Sequence, residues 1–255
     1  MQLDEYFAFT AETAYLAGRL TLGYFQTGTR PDFKSDDTPV TKADREAEQL
    51  IRRRIEARYP DHAIVGEEFG AKTTDGATFR WYIDPIDGTK AFMRGVPLYG
   101  VLLALEIEGQ AHVGAAYFPA LDEMLVAATG LGCWWNGRRA RVSEEENLSR
   151  AYVAFTDPAS FGKYGREAAW QRLQQATYYR AGWSDAYGYL LAATGRVEVM
   201  LDPIMNVWDC GPFPPILREA GGYFGDWRGR ETIHGQEGLA TSQKLLADVL
   251  RVLEG

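Results

Sequence analysis

The chain has 255 residues, 46% hydrophobic and 24% charged, with a formal net charge of −8. That is enough apolar chain for a substantial core, which excludes a disordered protein, and the acidic balance argues against a nucleic-acid surface. Two cysteines and three unclustered histidines argue against a disulfide framework and a zinc site and for a reducing cytoplasm, while the lack of a signal segment or a long apolar run argues against a membrane.

From Leu3 to Phe25, apolar residues recur at helical spacing (Phe7, Ala11, Ala14, Tyr15, Gly18, Leu22), which predicts one long amphipathic helix. Thr27–Pro39 reads as a polar loop carrying Lys34, Asp36 and Asp37. Thr41-Lys42-Ala43-Asp44 resembles a capping box and starts a second helix, which Pro60 ends near Tyr59. Capping is therefore the plain role for Asp44. Ala63–Val65 predicts a short buried strand, with Gly66-Glu67-Glu68 directly after it. Two adjacent acids at a strand end cannot point the same way. One could face a metal and the other a partner or water; a solvated loop pair is the alternative.

Phe79, Trp81 and Ile83 alternate with Arg80 and Tyr82, as in a strand that stops at Asp84. Pro85 ends it by fixing its own φ and lacking a ladder donor. Gly88 admits a backbone conformation that other residues avoid, and Thr89 is expected to cap a short helical turn over Lys90–Arg94. Strand, tight loop and helix start point backbone N–H groups at an anion. The same loop carries Asp84 and Asp87, which would repel a phosphate unless a cation sits between them. Hard oxygen ligands of this kind suit Mg²⁺. Asp-Pro and Asp-Gly are also ordinary turn signals, so a plain turn is the alternative.

Leu98–Glu106 is mostly apolar and predicts a central strand. Gly109-Gln110 turns into Ala111–Phe118, and Met124–Thr129 and Cys133–Trp135 continue a meander. Asn136-Gly137 is a hairpin turn before Arg138–Val142. His112 falls on a strand face, with no catalytic role expected. Glu144–Leu148 is polar and joins two lobes. Beyond it, strands (Ala151–Thr156, Tyr178–Arg180, Val197–Leu201) alternate with helices (Lys163–Gln175, Ser184–Thr194), which predicts an α/β layer. Asp209 precedes a segment with Pro212, Pro214 and Pro215, so helix is expected only over Ile216–Ala220, stopped by Gly221-Gly222. Capping is the plain role for Asp209. A last helix is expected over Ser242–Leu253.

Glu67, Asp84, Asp87 and Asp209 each lie beside a strand end or a helix start. Brought together, they would suit two or three Mg²⁺ ions, which make a nucleophile of bound water and neutralise the leaving oxygen. No GxxxxGK[ST] loop is present, so hydrolysis of a phosphate monoester is favoured over kinase chemistry.

Gly66-Glu67-Glu68, Asp84-Pro85-Ile86-Asp87-Gly88-Thr89, Trp208-Asp209 and Glu219-Ala220-Gly221-Gly222, in this order, resemble the inositol monophosphatase superfamily over nearly the whole chain. The resemblance implies a mixed α/β (α+β) fold, a layered αβαβα sandwich. It implies a single catalytic domain over 1–255, with sub-lobes near 1–145 and 146–255. It also implies Mg²⁺-dependent phosphatase activity on a small phosphate monoester in a homodimer. By similarity, Glu67, Asp84 and the carbonyl of Ile86 hold a first metal, and Asp84, Asp87 and Asp209 a second. A weaker third ion leans on Glu67. Thr89, with Glu67 or a nearby carboxylate, orients the attacking water. The N–H groups of Gly88 and Thr89 hold the phosphate, and Asp209 also borders the substrate. Lys34 matches the family's mobile N-terminal loop, and Asp44 the acid that closes over the site.

Inositol-type members usually carry Asn and His around the phenylalanine where this chain has Ala91-Phe92-Met93-Arg94. Thr89-Lys90 with Arg94-Gly95-Val96-Pro97-Leu98-Tyr99-Gly100 looks like the histidinol-phosphate phosphatase branch. So does Arg180 with Trp183-Ser184-Asp185-Ala186-Tyr187-Gly188-Tyr189. That branch implies L-histidinol phosphate as substrate, in histidine biosynthesis. Asp185 would pair with its ammonium and Arg180 would line the pocket. The other reading of Asp185 is a helix-start acid stabilised by the dipole. The runner-up activity is a broad inositol-1-phosphate phosphatase, followed by a 3′-phosphoadenosine phosphatase. A non-catalytic relative is disfavoured because all four carboxylates and Thr89 are present. Cys210-Gly211-Pro212-Phe213-Pro214-Pro215 departs from the small helix formers usual in the family and predicts a delayed helix start and a shifted pocket wall.

Overall fold

The structure, a computed structural model, describes residues 3–28, 32–33, 39–74 and 76–255. Asp4 and Glu5 open α1 (Asp4–Leu22), where negative charge suits the helix dipole. Within the predicted loop, β1 (Asp32–Phe33) and β2 (Pro39–Val40) form a short antiparallel pair. Helix α2 (Lys42–Arg58) begins with the predicted capping box. The Ala43 N–H donates to Thr41 Oγ1 (3.1 Å) and the Thr41 N–H to Asp44 Oδ2 (2.8 Å).

The chain then builds its larger sheet. Its strands are β3 (Ala63–Gly66), β4 (Gly70–Lys72) and β5 (Phe79–Asp87), then, after helix α3 (Thr89–Met93), β6 (Gly100–Ile107) and β7 (Gln110–Phe118). The meander continues through β8 (Glu123–Ala128), β9 (Gly132–Trp135) and β10 (Arg138–Arg139). The eight strands lie in the order β10-β9-β8-β7-β6-β5-β3-β4, antiparallel except where β3 runs parallel to β5.

The second part alternates strands and helices: β11 (Tyr152–Ala154), α4 (Pro158–Lys163), α5 (Glu167–Ala176), β12 (Tyr179–Ala181), α6 (Asp185–Ala193) and β13 (Val199–Asp202). It ends with α7 (Val207–Cys210), α8 (Phe213–Glu219), β14 (Gly222–Gly225), β15 (Gly238–Ser242) and α9 (Leu246–Glu254). The five strands lie in the order β12-β11-β13-β15-β14, with β11 parallel to both its neighbours and β15 antiparallel to both of its own.

Burial of apolar faces stacks these parts. On α1 and α2, Ala14, Ala17, Ile51 and Ile55 cover Trp81, Ile83, Val101 and Leu103 on one face of the large sheet. Tyr189 and Leu190 of α6 and Phe213 and Ile216 of α8 fill the space between the sheets. They meet Leu102 and Phe118 on one side and Met200 and Phe224 on the other. Phe161, Trp170, Leu173 and Val249 from α4, α5 and α9 close the outer face of the small sheet over Val153, Val199 and Leu201. The result is the αβαβα sandwich that the resemblance implied. Gly114 on β7 permits its middle contact, because a Cβ there would stand 2.2 Å from the carbonyl oxygen of Pro212. Among the described residues, no helix is long and apolar enough to cross a membrane.

Several local expectations need correction. Strand β5 does not stop at Asp84. It pairs Asp84 with Leu102 and next Asp87 with Gly100, so Pro85 and Ile86 together oppose Val101 in a bulge that absorbs the missing proline donor. Thr89 does not cap α3. Gly88 holds the cap position at φ 80°, and the Thr89 hydroxyl donates instead to the Ile86 carbonyl (3.1 Å). The predicted Lys163–Gln175 helix is two helices, α4 and α5, broken at left-handed Gly165. The proline segment does not delay helix. Winding begins at Val207, Gly211 and Pro212 keep right-handed helical angles, and Pro214 and Pro215 fall in the first turn of α8, where no intrahelical donor is needed. Strands β14 and β15 were not foreseen, and Ser242 closes β15 instead of opening the last helix.

Candidate active site

The bulge of β5 turns two acids toward the same point. The Ile86 N–H donates to Asp84 Oδ1 (3.0 Å) and so fixes that buried carboxyl against its own loop. Asp87 ends the strand, and its Oδ2 accepts the Ala186 N–H (2.6 Å), one of the donors that a helix start leaves without an intrahelical partner. Asp209 lies in the first turn of α7, not ahead of it. Its Oδ2 accepts the Asn206 N–H (2.7 Å). One carboxylate oxygen from each of Asp84, Asp87 and Asp209 lies within 4.8 Å of the others.

Glu67 follows β3. Its N–H donates to the Ile83 carbonyl (3.1 Å), prolonging the β3–β5 pairing until the side chain stands beside Asp84. Burial, and then the neighbouring charges of Glu67, Asp87 and Asp209, push the Asp84 carboxyl well above the usual carboxylate range. Burial followed by Asp185 and Asp209 does the same to Asp87. Burial raises Asp209 to about 7. Asp44 is fully buried at the start of α2, and burial raises it to about 6. Its Oδ2 serves the cap, while its Oδ1 has no hydrogen-bond partner among the described residues.

A cavity of about 490 Å³ opens beside Asp87 and Asp209. Lys90, Thr156, Asp185 and Asp202 are among its walls. Thr156 ties the two wall acids together: its Oγ1 accepts the Asp185 N–H (3.0 Å), and its own N–H donates to Asp202 Oδ1 (3.2 Å). The Tyr189 hydroxyl donates to Asp202 Oδ2 (3.1 Å), and burial raises Asp202 to about 7. Ser184 and Asp185 sit at φ 48° and 38°, a left-handed pair that strains the entry to α6. The strain brings the Asp185 carboxylate against the glycine cap of α3, where a Cβ on Gly88 would lie 3.0 Å from Asp185 Oδ2.

The structure thus brings Glu67, Asp84, Asp87 and Asp209 together, with Ile86, Gly88 and Thr89 in the stretch where β5 leads into α3 and Asp185 on the cavity wall. Arg180 is not on that wall. It sits on the edge strand β12, exposed, and its guanidinium donates to the Thr177 (2.8 Å) and Tyr178 (3.1 Å) carbonyls. The resemblance implied that Arg180 lines the pocket; in this structure its guanidinium turns to these two carbonyls instead. Lys34, with Asp36 and Asp37, lies outside the described residues. The sequence reading missed Thr156 and Asp202. Asp202-Pro203 at the end of β13 repeats the strand-end Asp-Pro of Asp84-Pro85, a signal that could have found it.

Residues 2–254 match the inositol monophosphatase family. The chain belongs to that family. It is 44% identical over 236 residues to the histidinol-phosphatase of Chlorobaculum parvum, covering 92% of this chain and 91% of that one. It is 35% identical over 226 residues to the histidinol-phosphatase of Mycobacterium tuberculosis, covering 87% and 86%. Among solved structures, an inositol monophosphatase from Zymomonas mobilis matches over 100% of both chains, with a TM-score of 0.89 at 28% identity.

The acids of this inositol monophosphatase family member suit a hard divalent cation. One oxygen from each of Asp84, Asp87 and Asp209 meets at a largely enclosed point, and the raised pKa values of these acids mark burial and mutual repulsion that a cation would relieve. The Oδ1 of buried Asp44, unpartnered among the described residues, is consistent with the same need.

Proposed function

We propose that the protein is a Mg²⁺-dependent phosphate monoester hydrolase whose substrate is L-histidinol phosphate. The observation that carries this reading is the carboxylate cluster opening onto a cavity whose wall is again acidic, at Asp185 and Asp202. A cluster of that kind serves a phosphate only through cations, and the second pair of acids suits a substrate with a cationic head. The histidinol-phosphatases at 44% and 35% identity support the same substrate.

Glu67, Asp84, Asp87, Asp209 and the Ile86 carbonyl would hold two to three Mg²⁺ ions. When bound, these supply an ionised water and neutralise charge on the leaving oxygen. The chain's own groups do the rest. The N–H groups of Gly88 and Thr89, at the start of α3, receive the phosphate. The Thr89 hydroxyl, already turned toward the Ile86 carbonyl, orients the attacking water, with Glu67 or Asp44 as the carboxylate that holds its proton. Asp209 borders both the cluster and the cavity, and Asp185 accepts the substrate ammonium. A homodimer in a reducing cytoplasm, without nucleic acid or membrane, completes the reading. Its supports are family resemblance, the acidic charge and two buried free cysteines.

An inositol phosphate, whose sugar-alcohol ring is uncharged, is the second reading, favoured by the solved inositol monophosphatase that shares the fold. Phosphate release decides between them. L-histidinol phosphate, myo-inositol 1-phosphate and 3′-phosphoadenosine 5′-phosphate are compared at matched concentrations, with Mg²⁺ and with EDTA. Preference for L-histidinol phosphate, lost in EDTA, is expected. Preference for inositol phosphate would retain the metal chemistry and remove the role of Asp185. Release from none would overturn the hydrolase reading.

A further inference from the structure

Three of the four clustered acids lie in regular structure: Asp84 and Asp87 in β5 and Asp209 in α7. Glu67 alone stands in a turn, between β3 and β4. Side chains from α2 bracket that turn. Asp44, Glu48 and Arg52 recur every four residues and so share one helix face. The Glu48 side chain is fully buried. Its Oε2 accepts the Glu68 N–H (2.7 Å), and its Oε1 accepts the Phe69 N–H (3.3 Å) and Arg52 Nε (2.7 Å). The Arg52 guanidinium reaches on to donate to the Gly70 carbonyl. Turn donors therefore end on Glu48 and a turn acceptor on Arg52. Gly66 makes the approach possible, since a Cβ there would stand 2.0 Å from Glu48 Oε1.

A buried carboxylate is a poor choice for stability alone, because desolvation cancels most of its attraction to a partner. Its worth here is geometric. We propose that Glu48 is a positioning residue: by holding the N–H groups of Glu68 and Phe69, it sets the direction in which Glu67 meets the metal site. Asp44 rides on the same helix face, so one rigid element places both acids. Coupling of this kind between an outer group and a ligand is commonly worth tenfold to a hundredfold in metal affinity.

The proposal rests on the Mg²⁺ reading above, and its test keeps the two separable. Metal-free protein is titrated with MgCl₂ alone, following the rise in melting temperature, without substrate. The wild type is read first, and absence of any Mg²⁺ response there overturns the metal reading and this proposal together. Glu48→Ala is expected to move the Mg²⁺ midpoint upward about tenfold or more. Glu48→Gln keeps one acceptor in the same shape and is expected to recover part of that shift. Gly66→Ala leaves the carboxylate in the chain but displaces it, and is expected to reproduce the Glu48→Ala shift. At saturating Mg²⁺, kcat for phosphate release should return near the wild-type value in Glu48→Gln, because the acids that touch the substrate are untouched. Should Glu48→Ala fail to fold, the Gln and Gly66 variants carry the test. A wild-type Mg²⁺ midpoint in folded variants overturns the positioning role while leaving the metal reading intact.

Discussion

Replacing Asp209 by asparagine separates what the carboxylate cluster costs the fold from what it does for function. Burial holds the Asp209 carboxyl at about 7, against an ordinary value of 3.8. Each pKa unit is worth about 1.4 kcal/mol, so ionising Asp209 in the metal-free fold costs about 4 kcal/mol relative to the unfolded chain. Below pH 4 the group is protonated in both states and contributes nothing. Between about 4 and 7 the folded state keeps a proton that the unfolded chain releases, so stability falls as pH rises, and above 7 the loss is complete. An amide oxygen can still accept the Asn206 N–H that Asp209 Oδ2 takes at 2.7 Å, so the cap survives the substitution. Allowing for partial solvent screening, Asp209→Asn should be about 2 kcal/mol more stable than wild type in EDTA near pH 8, or about 4–8 °C in melting temperature. Near pH 4 that advantage should vanish. Saturating MgCl₂ should invert the order, since ligand at a hundredfold its Kd adds about 2.7 kcal/mol to a protein that binds it. Thermal unfolding near pH 4 and pH 8, with EDTA and with MgCl₂, reads all four conditions. An asparagine variant no more stable than wild type in EDTA near pH 8 would refute the reasoning.

Asp87→Asn should abolish Mg²⁺-dependent phosphate release while leaving the far-ultraviolet circular dichroism unchanged, because the amide oxygen can still accept the Ala186 N–H; near-wild-type turnover would contradict the metal mechanism. Gly88→Ala forces a side chain into φ 80° and toward Asp185 Oδ2 at 3.0 Å. It should cost about 1–2 kcal/mol of stability and raise KM for L-histidinol phosphate, and an unchanged KM would remove Asp185 from the substrate's path. Gly114→Ala places a Cβ 2.2 Å from the Pro212 carbonyl and must push α8 off β7. A loss of about 1–3 kcal/mol in urea unfolding is expected, and a wild-type midpoint would mean that this contact yields freely.

Local chemistry was legible where it is closed within a few residues. The Thr41–Asp44 box spans four positions and forms as read. The mostly apolar run after Leu98 and the Asn136-Gly137 hairpin each specify their own backbone. Misreadings arose where one residue type has two uses. Pro85 could end a strand or sit in its bulge, and the partner strand chose the bulge. Pro214 and Pro215 could delay a helix or occupy its first turn, and packing beneath β7 kept the chain wound from Val207. Strands β14 and β15 are short and glycine-flanked, with both faces covered, so no alternation announces them. Arg180 lies on an exposed edge strand, and which carbonyls its long side chain finds is a matter of the loop before it.

The sequence by itself determined the family, the layered fold and the four acids, because each motif is contiguous and its spacing survives without neighbours. Only the tertiary structure decided that Asp84, Asp87 and Asp209 share a point within 4.8 Å, that Thr156 joins Asp185 to Asp202, and that Glu48 holds the turn of Glu67. These are meetings between segments 20 to 120 or so residues apart. Their geometry follows from how two sheets and five layers bury apolar faces, and no local pattern encodes the distance between side chains that such packing brings together.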